Sequence, residues 1–102
     1  MNLLINKGRI RKDGIFEKLV KTLRKHGAVK VHVFGSYARG EEGPESDLDI
    51  IVEFSNKKSL MDIVGIEQEL TDLIGVKVDL LTEKSISPYL IDTIKEEMVE
   101  IY

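Results

Sequence analysis

No cysteine occurs among the 102 residues, which excludes disulfides and thiolate metal sites and leaves the redox compartment unmarked. No apolar run approaches the roughly 20 residues that a membrane span needs, so a membrane is not expected as a partner. The apolar part of Met1-Asn2-Leu3-Leu4-Ile5-Asn6-Lys7 is too short for a signal peptide, and no small-residue cleavage site follows it. The cytoplasm is therefore the expected location. Repeats, low-complexity tracts and long linkers are also missing. A chain of this length has room for one modest core and not for two.

What is present divides by charge. Through Lys30 there are nine Lys/Arg against two Asp/Glu, and from Val31 onward six against sixteen, so a basic start precedes an acidic remainder and the whole nets −3. The basic segment reads either as the solvated face of a helix or as a surface for nucleic acid, a nucleotide or an acidic partner. The overall balance argues against a dedicated nucleic-acid binder.

The periodicities order the chain. Residues 1–12 have no clear period and read as an arm. Asp13 is placed to cap a helix with Ile15, Phe16, Leu19, Val20 and Leu23 on one face, ended by Gly27. The β-branched run 29–34 reads as a strand, 35–46 as a loop with one helical turn, and 48–54 as a second strand. Ser59 and Asp62 form a capping-box pattern opening a helix with Leu60, Ile63, Val64, Ile66, Leu70, Leu73 and Ile74 on its buried side. A third strand over 76–81 follows. Ser87-Pro88 opens a last helix carrying Leu90, Ile91, Ile94 and Met98, and 99–102 is placed to add an edge strand. This order predicts a mixed α/β domain, a small mixed sheet with helices packed on it.

The chemistry concentrates in one stretch, which opens with Phe34-Gly35-Ser36-Tyr37-Ala38-Arg39-Gly40 and, with ten residues between it and Ser36, reaches Asp47-Leu48-Asp49. Side chains alternate along a strand, so Asp47 and Asp49 project to the same side, roughly 7 Å apart. Such a pair suits hard divalent cations together with phosphate oxygens. Asp79 lies inside an apolar strand, where an unpaired charge is costly. On a neighbouring strand it would face the same ions, as a ligand or as the acceptor of a hydroxyl proton. Gly35 lets the backbone approach a phosphate closely, Ser36 offers a hydroxyl and an N–H, and Arg39 offers a charge-assisted donor. Taken singly, the acidic pair is an ordinary turn, Gly-Ser an ordinary strand exit, and Asp79 a partner for Arg39 or Lys77. In this order and spacing they are hard to explain as structural.

In that order and spacing the sequence resembles the polymerase-β-type nucleotidyltransferases. The fuller string through Ser46-Asp47-Leu48-Asp49-Ile50 is similar to their minimal branch, freestanding catalytic domains that include antitoxins paired with HEPN-domain toxins. The resemblance implies that fold, with 13–102 as the catalytic domain. It implies two Mg²⁺ ions on Asp47 and Asp49, with Asp79 as third catalytic carboxylate and metal ligand. Gly35 and Ser36 would hold the β/γ-phosphates of ATP. Arg39 and Ser46 match the pattern as further nucleotide-binding positions, although Ser46 also fits a role orienting Asp47.

Larger relatives append domains that grip their substrates, so the acceptor is expected on a partner chain. The leading expectation is transfer of AMP to a tyrosine hydroxyl of a cognate HEPN toxin, which silences it. The alternatives are neutralisation by binding alone, and transfer to a small molecule or RNA with a separate substrate-binding subunit. His26 reads as a helix-end cation, and His32 as a half-buried, hydrogen-bonded ring or a nucleotide contact. Tyr37 and Tyr102 read as packing residues, with stacking or modification as the alternative.

Overall fold

The computed structural model describes residues 14–102, so the expected arm 1–12 and the expected cap Asp13 lie outside the described residues. Helix α1, Ile15–Lys25, starts from Gly14 in a left-handed conformation and buries Phe16, Leu19, Thr22 and Leu23 along one stripe. His26 closes it, and its Nε2 lies 2.9 Å from Glu69 Oε1, so a side-chain partner adds to the favourable helix-end position. Strand β1 runs Ala28–Phe34, the single turn α2 is Ser36–Arg39, and β2 is Leu48–Phe54.

Helix α3, Leu60–Ile74, opens with the expected capping box. Ser59 Oγ accepts from the Asp62 N–H at 3.1 Å, and the Asp62 carboxylate accepts from the Ser59 N–H at 2.9 Å. Strand β3, Val78–Leu81, begins two residues later than its apolar pattern suggested. A 3-10 turn at Glu83–Ser85 leads to α4, Pro88–Glu97, and a two-residue strand β4, Val99–Glu100.

The sheet order is β3-β2-β1-β4. Strand β1 is antiparallel to both β2 and β4, and β3 joins β2 in parallel after the α3 crossover. Alternation gives the sheet two unlike faces. Val31, Val33, Leu48, Ile50, Val52, Val78 and Leu80 are buried in one core with Leu19 and Leu23 of α1 and Ile66 and Leu70 of α3. Alternating with them on the same strands, His32, Phe34, Asp49, Ile51, Asp79 and Leu81 belong to the opposite face. On the outer side of β3, the N–H groups of Val78 and Leu80 are taken by Thr71 Oγ1 and Glu67 Oε2 of α3, at 3.0 and 2.8 Å.

The buried side expected for α3 is too broad. Only Ile66 and Leu70 are fully buried, Ile63 and Ile74 pack partly against the core, and Leu60, Val64 and Leu73 are exposed. A helix lying on a sheet can turn only a limited stripe toward it, and this apolar set spans a wider arc. In α4 no residue is fully buried. Among the described residues no helix is long and apolar enough to cross a membrane.

Candidate active site

The register decides which side chains meet. Phe34 pairs with Asp49 across β1 and β2, and Asp49 pairs with Asp79 across β2 and β3. The two carboxylates therefore stand side by side on the face opposite the core. A cleft of about 470 Å³ lies over them, walled by Phe34, Leu81, Leu90 and Ile94. Burial first, then the charge of Asp79, a hydrogen bond with it and the charge of Asp47 push the Asp49 carboxyl up to about 6, with Arg39 pulling the other way.

Asp47 sits one residue ahead of β2. Lys77 Nζ lies 3.9 Å from Asp47 Oδ2 and 3.6 Å from Asp79 Oδ1, so one exposed ammonium serves both acids. This matches the pairing of Asp79 with Lys77 that the sequence left open beside its chemical role.

Gly35 ends β1 with φ 75° and ψ −152°, a conformation nearly confined to glycine. A Cβ built there would collide with the Asp49 carboxylate. The missing side chain thus makes room for an acid of this same protein, a reason beyond the close phosphate approach read from the sequence. The turn is closed by Ala38 and Arg39 N–H groups on the Gly35 carbonyl, both at 3.1 Å. Tyr37 is buried as expected, its ring centroid 6.5 Å from that of Phe16, and so ties the turn to α1.

Arg39 is held at two points: Nε donates to Glu41 Oε1 at 2.9 Å and Nη1 to Glu97 Oε1 at 3.0 Å. The Glu41 hydrogen bond foremost, aided by Glu97, raises the guanidinium pKa further. Ser46 Oγ accepts from the Gly43 N–H at 2.9 Å, closing the loop just before Asp47. His32 shares a face with Asp49, but its Nε2 lies 3.7 Å from Glu100 Oε1 on β4.

Glu97 escaped the sequence reading. Its Oε1 accepts from the Gly35 N–H at 3.2 Å as well as from Arg39, across more than fifty residues of chain. One local signal was available: an acid in the last turn of a helix faces the negative end of the macrodipole, so its position needs a reason.

The carboxylates suit a hard divalent cation. Asp49 and Asp79 repel one another, offer oxygen donors only, and are relieved by positive charge between them. Among the described residues no three His, Cys, Asp or Glu side chains stand gathered as a ready-made metal site. The pair forms the nucleus, and Asp47 is the nearby third acid.

A family model described as nucleotidyltransferase domain matches residues 15–101. The chain belongs to this family. It is accordingly an enzyme of the nucleotidyltransferase class. A Methanocaldococcus jannaschii protein, named provisionally as a protein adenylyltransferase, is 46% identical over 87 residues, covering 85% of this chain and 94% of its own. The protein adenylyltransferase MntA of Thermococcus cleftensis is 38% identical over 82 residues, covering 79% and 83%. Among solved structures, a toxin–antitoxin crystallised with AMP-PNP superposes with a TM-score of 0.77 at 25% identity, over 84% of this chain and 71% of that one. In the nucleotidyltransferase described here, the small mixed sheet with helices packed on it is the expected fold, and the strand ends bring Gly35, Asp49 and Asp79 to one place.

Proposed function

We propose that this nucleotidyltransferase transfers AMP from ATP to a tyrosine hydroxyl of a cognate HEPN-domain toxin in the cytoplasm, and so acts as its antitoxin. One observation carries the reading: Asp49 and Asp79 lie in register beneath an open cleft, against a glycine whose missing side chain leaves the Asp49 carboxylate its space. The relative named MntA and the toxin–antitoxin likeness support the choice of nucleotide and partner.

Asp47, Asp49 and Asp79 would hold two Mg²⁺ ions, which when bound supply charge that sharpens the nucleophile and stabilises the departing pyrophosphate. The Gly35 N–H, Ser36 and Arg39 bind the β/γ-phosphates. Ser46 keeps the loop closed so that Asp47 enters β2 in a fixed direction. In the transfer, the acceptor oxygen bonds to the α-phosphorus, the bond to pyrophosphate breaks, and the hydroxyl proton passes to Asp79. The apolar wall of Phe34, Leu81, Leu90 and Ile94 suits a planar ring, which an aromatic acceptor brings.

The test pairs the purified protein with the product of the adjacent reading frame, ATP and Mg²⁺, and weighs that product by mass spectrometry. The expected result is a gain of one adenylyl group or a multiple of it. Asp49→Asn should lower the transfer rate by at least about a hundredfold, on the scale of losing a main electrostatic element of a site. Neutralisation that survives Asp49→Asn would mean that binding alone suffices.

A further inference from the structure

Two donors assigned above to the nucleotide's phosphates are already occupied by the protein itself. A single oxygen, Glu97 Oε1, accepts from the Gly35 N–H at 3.2 Å and from Arg39 Nη1 at 3.0 Å. An anionic oxygen between a backbone N–H and a guanidinium is the arrangement that a non-bridging phosphate oxygen would adopt. We infer that Glu97 is a resident stand-in for phosphate, which the incoming triphosphate must displace, so that the end of α4 sets the affinity for nucleotide. The inference rests on the phosphate assignment under Proposed function.

Three features favour displacement over a fixed structural bond. Glu97 terminates a helix that buries no residue fully, so its side chain can swing away without opening the core. Its own side chain is 33% exposed, which gives the released carboxylate water to enter. Arg39 keeps its second hold, Nε on Glu41 Oε1 at 2.9 Å, so the guanidinium stays oriented when Nη1 is released. The site also carries Asp47, Asp49 and Asp79, and a further carboxylate beside them opposes the approach of a polyanion for as long as it stays.

Titration calorimetry with AMP-PNP and Mg²⁺, run beside AMP with Mg²⁺, tests this on the whole chain. Glu97→Ala and the isosteric Glu97→Gln should each bind AMP-PNP about three- to tenfold more tightly, an expected change of roughly 0.6–1.4 kcal/mol. AMP lacks the β- and γ-phosphates, and its binding should not change. In the transfer assay, KM for ATP should fall while kcat holds. Circular dichroism of both variants establishes that they are folded, and Glu97→Gln preserves the shape of the side chain if Glu97→Ala does not fold. Weaker or unchanged AMP-PNP binding, with kcat reduced, would make Glu97 a residue that positions Arg39 and would overturn the inference alone. Failure of the wild-type chain to bind AMP-PNP at all would overturn the phosphate assignment, and the inference with it.

Discussion

Asp49 carries a cost that its neighbours explain. In the folded chain it titrates at about 6 against an ordinary 3.8, chiefly through burial and then through Asp79. The folded state therefore holds a proton that the unfolded chain has released, and between about pH 4 and 6 it binds more protons than the unfolded state. Stability falls as pH rises through that window, and the full deficit is present above it. A shift of about two units caps the effect near 3 kcal/mol, and partial solvent screening keeps the true value lower. Without metal, Asp49→Asn should thus melt higher than wild type at pH 7.5, with the gain shrinking toward pH 4.5. Thermal melts by circular dichroism check this; a difference that stays constant with pH would mean that charge is not the cause. An acid proposed for the transfer would then be one whose removal stabilises the fold.

Among the elements, α3 is the crossover that makes β2 and β3 parallel, and so it delivers Asp79 beside Asp49. Its capping box satisfies two backbone donors at the start of that crossover. Ser59→Ala should lower the unfolding free energy by about 1 kcal/mol in urea titration, with an unchanged m-value. An effect below a few tenths would show that the box is dispensable there. The same helix shows what the sequence made legible. Its start was readable because the Ser59–Asp62 cap is local chemistry, and Ile66 and Leu70 fell on the buried stripe. Leu60, Val64 and Leu73 were assigned to that side because an apolar side chain does not announce which neighbour will cover it. The pairing of Asp49 with Asp79 was within reach because period-2 alternation and a neighbouring strand suffice. Glu97 was not, because its partners Gly35 and Arg39 lie on another element and only the tertiary path of α4 brings it to them.

At the scale of the whole molecule, the sheet separates its tasks by face: one side is core against α1 and α3, the other carries the acids and the cleft. A ligand that binds only the folded chain stabilises it by mass action, by about 2.7 kcal/mol at a hundredfold excess over Kd. Mg²⁺ with AMP-PNP at that excess should therefore raise the wild-type melting temperature by roughly ten degrees or more, since about 1 kcal/mol moves a domain of this size by roughly 4–8 °C. The same addition should barely move Asp49→Asn, and an equal rise in both would place the nucleotide elsewhere. The side chains of Thr71 and Glu67 on the outer N–H groups of β3 bear on a different hazard. A bare strand border is a template on which another polypeptide can lay itself down, and that route leads to fibrils and misassembly. Here α3 has already filled the border's donors at Val78 and Leu80, so the strand bearing Asp79 has neither of these N–H groups left to offer another copy of the chain.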